Sequence, residues 1–238
     1  MTIRQDGEAA EFVLTRRVNS AKDLEAVTSL WRSVYGSEFG WLSDDANPVT
    51  DGFHERSDYY VSWLNGLVPV GTMRIVRAQQ MGFHITDAVD VRSLSSRQPL
   101  VVEVQRLMVV GKFRDKRFAG APFGIYGCMV KACLHHAVAY GVDTILADCH
   151  RDMAISPLKS MKQMGFRETG DTYVDSMNGL VCVILTIDTK AWLQKIYTNQ
   201  NPFNQYLLDM NDWSPGFAQI SEQTGKRNGP STKERAHA

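Results

Sequence analysis

Between Val101 and Phe166 the chain passes through a strand-like stretch, a basic glycine-containing loop, a long apolar helix and a second strand, and this order constrains the fold more than any other feature. Leu100 to Val110 is rich in β-branched residues, the composition of a central strand, yet Glu103, Gln105 and Arg106 are planted in it. Gly111 to Gly120 then forms a loop. From Ala121 to Tyr140 the positions Phe123, Tyr126, Val130, Cys133, Leu134, Ala137 and Val138 keep one face, which predicts a helix that Gly141 ends. Val142 to Ala147 reads as the next strand. A short helix follows, capped by Ser156 with Pro157 in its first turn, and Gly165-Phe166 breaks it.

The flanks complete a mixed pattern. Glu11 to Val18 alternates as a strand, and Ser20 caps a helix carrying Leu24, Val27, Leu30, Trp31 and Val34 at helical spacing. Gly36 to Glu55 is irregular, but Phe39, Trp41 and Phe53 in it point to a loop folded over something apolar rather than a linker. Asp58 to Leu64 and Leu67 to Val76 form a hairpin through Asn65-Gly66, and a short helix is expected near Ile85 to Val91. After Phe166 come two more strands, Glu168 to Val174 and Leu180 to Ile187, with an Asn-Gly turn between them. A helix around Trp192 and an apolar cluster at Phe203, Tyr206, Leu207 and Leu208 pack back on the domain. The expected class is α/β of the α+β kind, with one domain over residues 1–212 and a polar tail over 213–238. That tail has too few large apolar residues to offset its ordering entropy, so it is expected to be largely disordered.

Charge narrows the function classes. Lys and Arg total 26 and Asp and Glu total 26, so no net basic field is present to hold nucleic acid. No run of about 18 apolar residues and no apolar leader is present, so the reading is cytoplasmic, with no integral membrane segment. Cys128, Cys133, Cys149 and Cys182 make no Cys-x-x-Cys pair and read as reduced core thiols. Adjacent His135 and His136 diverge and have no ligand set around them, so neither a metal nor a tightly bound cofactor is expected. Cys149-His150 followed by Asp152 reads as a buried thiol beside a loop histidine, because catalytic triads are assembled by the fold and not by adjacency. The loop from Gly111 is more suggestive. It opens onto a helix start, where free N–H groups favour anions, and Lys112, Arg114, Lys116 and Arg117 add positive charge.

Arg117-Phe118-Ala119-Gly120-Ala121 resembles the pantetheine–pyrophosphate loop of the GNAT superfamily, and Met164-Gly165-Phe166 resembles the exit from that superfamily's late helix. Pro122 stands where a second small residue is usual, and Met161 where coenzyme A-dependent members usually carry the tyrosine that protonates the departing thiolate. Within the superfamily, Asp51-Gly52-Phe53, Asp58-Tyr59-Tyr60, Val70-Gly71-Thr72-Met73-Arg74 and Val102-Glu103-Val104-Gln105-Arg106 are similar to the N-acyl amino acid synthases and acyl-homoserine-lactone synthases. Gln105 departs from a frequent serine. The resemblance spans about Leu14 to Phe166.

This resemblance implies a GNAT-like central mixed, mostly antiparallel twisted sheet flanked by helices, in a bacterial enzyme. It implies transfer of a fatty acyl group from acyl carrier protein, or from coenzyme A, to the amine of an amino acid. Three alternatives stay open: lactone synthesis from S-adenosylmethionine, coenzyme A-dependent acetylation, and acyl-thioester binding without turnover. Glu103 is then the proton acceptor, and backbone N–H groups of the fourth strand, where it splays from its neighbour, hold the oxyanion. Arg106 and Arg74 either orient Glu103 or grip an acceptor carboxylate. The acyl-phosphopantetheine donor lies against Val109, Val110, Arg114, Arg117, Phe118, Ala119, Gly120 and Ala121. Phe39, Trp41, Asp51 and Phe53 meet the acyl chain or acceptor, and Lys112 and Lys116 meet the acidic carrier protein.

Overall fold

The computed structural model of the chain describes residues 11–43, 51–77, 85 and 100–210. The expected helix at Ile85 to Val91, apart from Ile85, and the polar tail lie outside the described residues. Strand β1 (Val13–Arg17) leads into helix α1 (Ala21–Trp31). As the sequence predicts, the Ser20 side chain caps α1 by accepting from the Asp23 N–H at 3.1 Å. The helix does not stop there. It widens into a π-helical turn, Arg32–Glu38, closed by Gly40 at φ 66°, so the irregular segment begins later than composition suggests. Such turns re-aim side chains, and this one carries Tyr35 and Glu38.

Strands β2 (Ser57–Leu64) and β3 (Val68–Arg77) form the expected hairpin. Asn65 and Gly66 both sit at positive φ, 52° and 73°, as a tight turn matching the twist of antiparallel strands requires. Then come β4 (Val101–Val109), α2 (Gly124–Tyr140), β5 (Thr144–His150), α3 (Leu158–Met164), β6 (Arg167–Val174), β7 (Val181–Asp188), α4 (Thr189–Thr198) and α5 (Pro202–Leu208). The short helix α3 begins one residue later than its sequence signature: Pro157 takes the cap position, and the Ser156 hydroxyl accepts from Leu158 N–H at 3.3 Å. The seven strands make one sheet in the order β1-β2-β3-β4-β5-β7-β6, antiparallel except for β4 beside β5.

One face of the sheet carries α2 over a core that includes Val102, Val104, Ile125, Met129 and Ile145; α1 packs on the other over Tyr59, Val61 and Met108. Helix α2 is more buried than its single apolar stripe predicts, because α5 covers its outer side. Lys131 is 2% exposed with its ammonium 4.4 Å from the Tyr206 ring centre, and His135 Nε2 lies 2.9 Å from the Leu207 carbonyl oxygen. His136 meets the Tyr60 hydroxyl at 2.9 Å, and burial holds its pKa down at about 4, so both histidines serve packing. All four cysteines are buried, and none is in a disulfide.

Gly71 fixes how closely α2 approaches β3. A Cβ there would stand 2.9 Å from both Ile125 Cγ2 and the Met108 carbonyl oxygen, and the second is backbone with nowhere to go. Gly71→Ala is expected to destabilise the fold by about 1–3 kcal/mol, the usual cost of overpacking. A urea titration checks this, with a lower midpoint at unchanged slope.

Candidate active site

Two backbone irregularities build the site. In the β3–β4 ladder Thr72 pairs with Met108 and Arg74 with Gln105, so Met73 alone stands opposite Arg106 and Leu107. This is a β-bulge, and Arg106 occupies it at φ 52°. The extra residue reverses the parity of the strand. Val102 and Val104 point to the α2 core before it, while Leu107 and Val109 do so after it. Gln105 and Arg106, though consecutive, therefore both lie toward α1, and the Arg106 guanidinium sits 5.7 Å from the Trp31 ring and 5.6 Å from Tyr35.

The second irregularity is a parting of strands. β4 and β5 pair only from Val101↔Thr144 to Val104↔Ala147, although both run on, to Val109 and His150. Two cavities fill the opening. The smaller, about 120 Å³, is lined by Gln105, Arg106, Asp148, His150, Tyr173 and Asp175, and also by Met161 and Cys149. The larger, about 450 Å³, runs outward between Phe39, Trp41, Leu107, Val109, Tyr126 and Ser160. Tyr35, Trp41, Leu107, His150 and Pro157 line both, so the two form one cleft, with Arg106, Asp148 and Asp175 at its smaller end.

The polar end is a network of side chains drawn from five elements. Asp148 accepts from the Tyr173 hydroxyl at 2.7 Å. The turn between β6 and β7 supplies Asp175, whose Oδ1 accepts from Met177 N–H at 2.9 Å and whose Oδ2 lies 3.5 Å from His150 Nε2. Burial works to raise the Asp175 pKa, but His150, the Met177 N–H and Arg106 outweigh it and hold the carboxyl below its ordinary range. The stabilisation from this carboxylate is therefore present above the ordinary carboxylate range and lost only as pH falls through the depressed value. Arg106 is also desolvated, which disfavours its charge, yet Tyr35, Asp148 and Asp175 more than compensate and raise its pKa. Its hydrogen bonds among the described residues are to Tyr35 and to the Met177 sulfur at 3.7 Å, with no carboxylate in ion-pair contact. The cleft thus holds a charged, pre-oriented fork able to receive an anion.

The residues expected from sequence divide. Arg106, Val109, Arg114, Phe39 and Trp41 line the cleft. Phe39 and Trp41 stack at 4.6 Å, and the Trp41 ring meets His150 edge-on at 5.3 Å. Arg114 pairs with Glu38 and donates to the Val109 carbonyl at 3.0 Å, tying the π-helical turn to the end of β4. Val110 lies outside the lining; its N–H donates to Val70 at 3.0 Å.

Arg74 is fully buried and spent. It grips both Asp51 oxygens at 2.8 and 2.7 Å and donates to Gln105 Oε1, between the rings of Trp31 and Phe53. It faces neither cavity, and neither do Asp51 and Phe53. Glu103 also stands apart. Before the bulge its side chain shares the α1 face with Val101, is 0% exposed, acts electrostatically on Arg56, and lines neither cavity.

The loop read as a phosphate site is partly bonded to its own chain. Ala119 N–H donates to Glu11 and its carbonyl accepts from Val13, while the N–H groups of Phe118, Ala121 and Gly124 bond within the loop. These donors are committed to the fold, and Arg117 to Ala121 line neither cavity of the cleft. Lys112 and Lys116 are exposed, their ammonium groups 4.9 and 5.5 Å from the Phe113 ring centre.

Five residues of the polar end escape the sequence reading as site residues: Tyr35, Asp148, His150, Tyr173 and Asp175. His150 is the last residue of β5, not a loop histidine, and its acid comes from Asp175 instead of Asp152. Cys149 turns to the opposite face, its sulfur 3.3 Å from Met161 Sδ, with burial pushing the thiol pKa up.

No family model matches the sequence, and no curated protein matches it. Solved structures do. FeeM, an N-acyl amino acid synthase from uncultured soil microbes, superposes with a TM-score of 0.64 at 14% identity, covering 82% of this chain and 97% of that one. BjaI, a CoA-dependent acyl-homoserine lactone synthase, gives 0.56 at 16% identity, covering 90% of each chain. An N-acetyltransferase from Staphylococcus aureus Mu50 gives 0.52 at 14% identity, covering 74% of this chain and 98% of that one. With its seven-stranded, mostly antiparallel sheet opened between β4 and β5, the chain has a GNAT-like fold.

Proposed function

We propose that the protein is an N-acyltransferase that moves a fatty acyl group from a phosphopantetheine thioester, carried on acyl carrier protein, to the amine of an amino acid. The observation that carries this reading is the cleft itself. A channel between β4 and β5, walled by Phe39, Trp41, Leu107, Val109 and Tyr126, ends at a positively charged guanidinium that has no carboxylate in ion-pair contact among the described residues. The channel suits an acyl-pantetheine arm, and Arg106 suits the carboxylate of an amino-acid acceptor. Backbone N–H groups on the free edge of β4 beyond Val104 would meet the oxyanion. Likeness to FeeM supports an amino-acid acceptor. No helix among the described residues is long and apolar enough to cross a membrane.

Carrier protein is favoured over coenzyme A because four loop donors, the N–H groups of Phe118, Ala119, Ala121 and Gly124, are already bonded within the chain. Lys112 and Lys116 then form a docking patch near the cleft mouth for an acidic partner. Reversing both charges (Lys112→Glu with Lys116→Glu) is expected to raise KM for acyl carrier protein donors about tenfold, close to one factor of ten per 1.4 kcal/mol of lost attraction, with acyl-pantetheine donors unaffected. Equal KM values for the variant and the parent would remove the docking role.

The direct test is mass spectrometry of products from purified protein, acyl carrier protein or coenzyme A donors and an amino-acid mixture. N-acyl amino acids are the expected products. A lactone formed only with S-adenosylmethionine, or no acylated product with any amine, would reject the proposal.

A further inference from the structure

We infer that Tyr35 and Gln105 complete an acceptor site around Arg106 that selects free α-amino acids, by donating hydrogen bonds to the acceptor carboxylate. The inference rests on the acyltransfer reading and names the residues that set its acceptor class. It starts from Gln105, which stands where the resemblance gives a frequent serine and whose amide the fold uses only in part.

Gln105 is 5% exposed and lines the smaller cavity. Arg74 donates to one end of its amide, and because a guanidinium has no acceptor, that end is Oε1 and the other is Nε2. Nε2 is buried and has no hydrogen-bond partner among the described residues. Turning the amide over would set its N–H groups against Arg74, which both Asp51 oxygens hold in place at 2.8 and 2.7 Å. The nitrogen therefore stays where it is. A buried amide nitrogen with unused N–H groups costs free energy, and a ligand that brings an acceptor removes the cost.

Tyr35 carries a second unspent donor. Arg106 donates to its phenol oxygen, and since Arg106 can only donate, the phenol proton takes no part in that bond. No acceptor for this proton is present among the described residues. Arg106 adds its own N–H groups, with no carboxylate in ion-pair contact among the described residues.

The β-bulge brings the three together. Gln105 and Arg106 both lie toward α1 although they are consecutive, and the Arg106 guanidinium is 5.6 Å from the Tyr35 ring centre. All three line one cavity of about 120 Å³, room for several non-hydrogen atoms. The unused groups on this side are all donors, the complement of a group that only accepts. A carboxylate is such a group, whereas a primary amide brings two N–H donors of its own to the same wall. The acceptor's ammonium finds its partner across the opening. Asp148 lines the cavity from β5 and, beyond its bond from the Tyr173 hydroxyl, keeps lone pairs to give; Asp175 is already bound by the Met177 N–H and the Asn178 amide, each at 2.9 Å. A zwitterion thus meets opposite charge at both of its ends.

The experiment compares kcat/KM for an α-amino acid with kcat/KM for its primary amide, in the parent, Tyr35→Phe and Gln105→Glu, with one acyl-pantetheine donor throughout. The ratio of the two values is the readout, because damage to donor binding or to the chemical step cancels in it. Tyr35→Phe is expected to lower the ratio about tenfold, the worth of one hydrogen bond to a charged group. Gln105→Glu should lower it about 100-fold, since it keeps the oxygen that Arg74 needs but sets a like charge beside the acceptor carboxylate. Both losses should fall on KM for the amino acid and spare kcat, as binding shared by ground and transition state requires. If Gln105→Glu does not fold, by circular dichroism, Tyr35→Phe carries the test alone. A ratio that the folded variants leave unmoved, with kcat lowered alike on both acceptors, would overturn the assignment and give these donors to the thioester carbonyl, leaving acyltransfer intact. If the parent protein binds donor but acylates no amine, the acyltransfer reading itself fails, and this inference with it.

Discussion

Arg106→Ala is expected to lower kcat/KM for an amino-acid acceptor by about 100-fold, and to have little effect on the corresponding amine that lacks the carboxylate. Removing one partner of a desolvated charge pair costs roughly 2–5 kcal/mol, and a value of about 3 kcal/mol, in the lower half of that range, applies because Arg106 is only half-buried. Each 1.4 kcal/mol is a factor of ten, which gives about two orders of magnitude. The contrast between the two acceptors separates binding of an anion from general damage to the cleft. Steady-state kinetics on both acceptors checks it, and an equal loss on the two would show that Arg106 does not hold the carboxylate. Arg106→Lys should recover only part of the loss, because a single ammonium cannot reproduce the planar fork.

The second large effect concerns stability. Arg74→Ala is expected to cost about 3 kcal/mol of unfolding free energy. Arg74 is 0% exposed, and its guanidinium is the described partner of both Asp51 oxygens and of Gln105 Oε1. Breaking a buried pair from one side commonly costs about 3–5 kcal/mol, since the remaining charge is left without compensation. Asp51 keeps 33% of its side chain exposed, so water recovers part of the penalty and the lower figure is appropriate. Chemical denaturation should show a lower midpoint. A variant as stable as the parent would mean that the pair contributes nothing to the fold. Arg74 and Arg106 thus look alike on a strand pattern and do different work, one fastening a loop to the sheet and the other facing the cleft.

How far these roles were legible in the sequence depends on the range over which each is determined. The Asn65-Gly66 hairpin, the Ser20 cap and the Gly141 helix end are local, set by turn and cap chemistry within a few residues, and they appear as expected. The polar residues in β4 also stand out in a strand of β-branched neighbours. Their directions do not, because strict alternation would send Arg106 toward the α2 core with Val104. The bulge opposite Met73 adds one residue to the count, turning Arg106 to the side of Glu103 and Gln105 but into the opening. A single residue of register decides which cation faces the cleft.

His150 and Asp175 were hidden for a different reason. They are far apart in sequence and meet because β5 pairs with β7, His150 opposite Cys182, which brings the β6–β7 turn over the end of β5. Adjacent Cys149 drew attention in the sequence but lies on the other face, as strand alternation requires. The basic loop after β4 was legible in composition but not in its bonding. Its composition fits an anion site, and pairing with the chain just before β1 takes up the Ala119 N–H, a long-range contact that composition does not show.

The central claim is that the opening between β4 and β5 receives the thioester arm. A crystal structure with a non-transferable acyl-pantetheine thioether tests it most directly. The expected result is an arm running past Leu107 and Tyr126, with its carbonyl-equivalent carbon in the smaller cavity beside Arg106 and His150. An amino acid soaked in afterwards should place its nitrogen about 3–3.5 Å from that carbon. An arm bound on any other surface, with the opening still empty, would contradict the account.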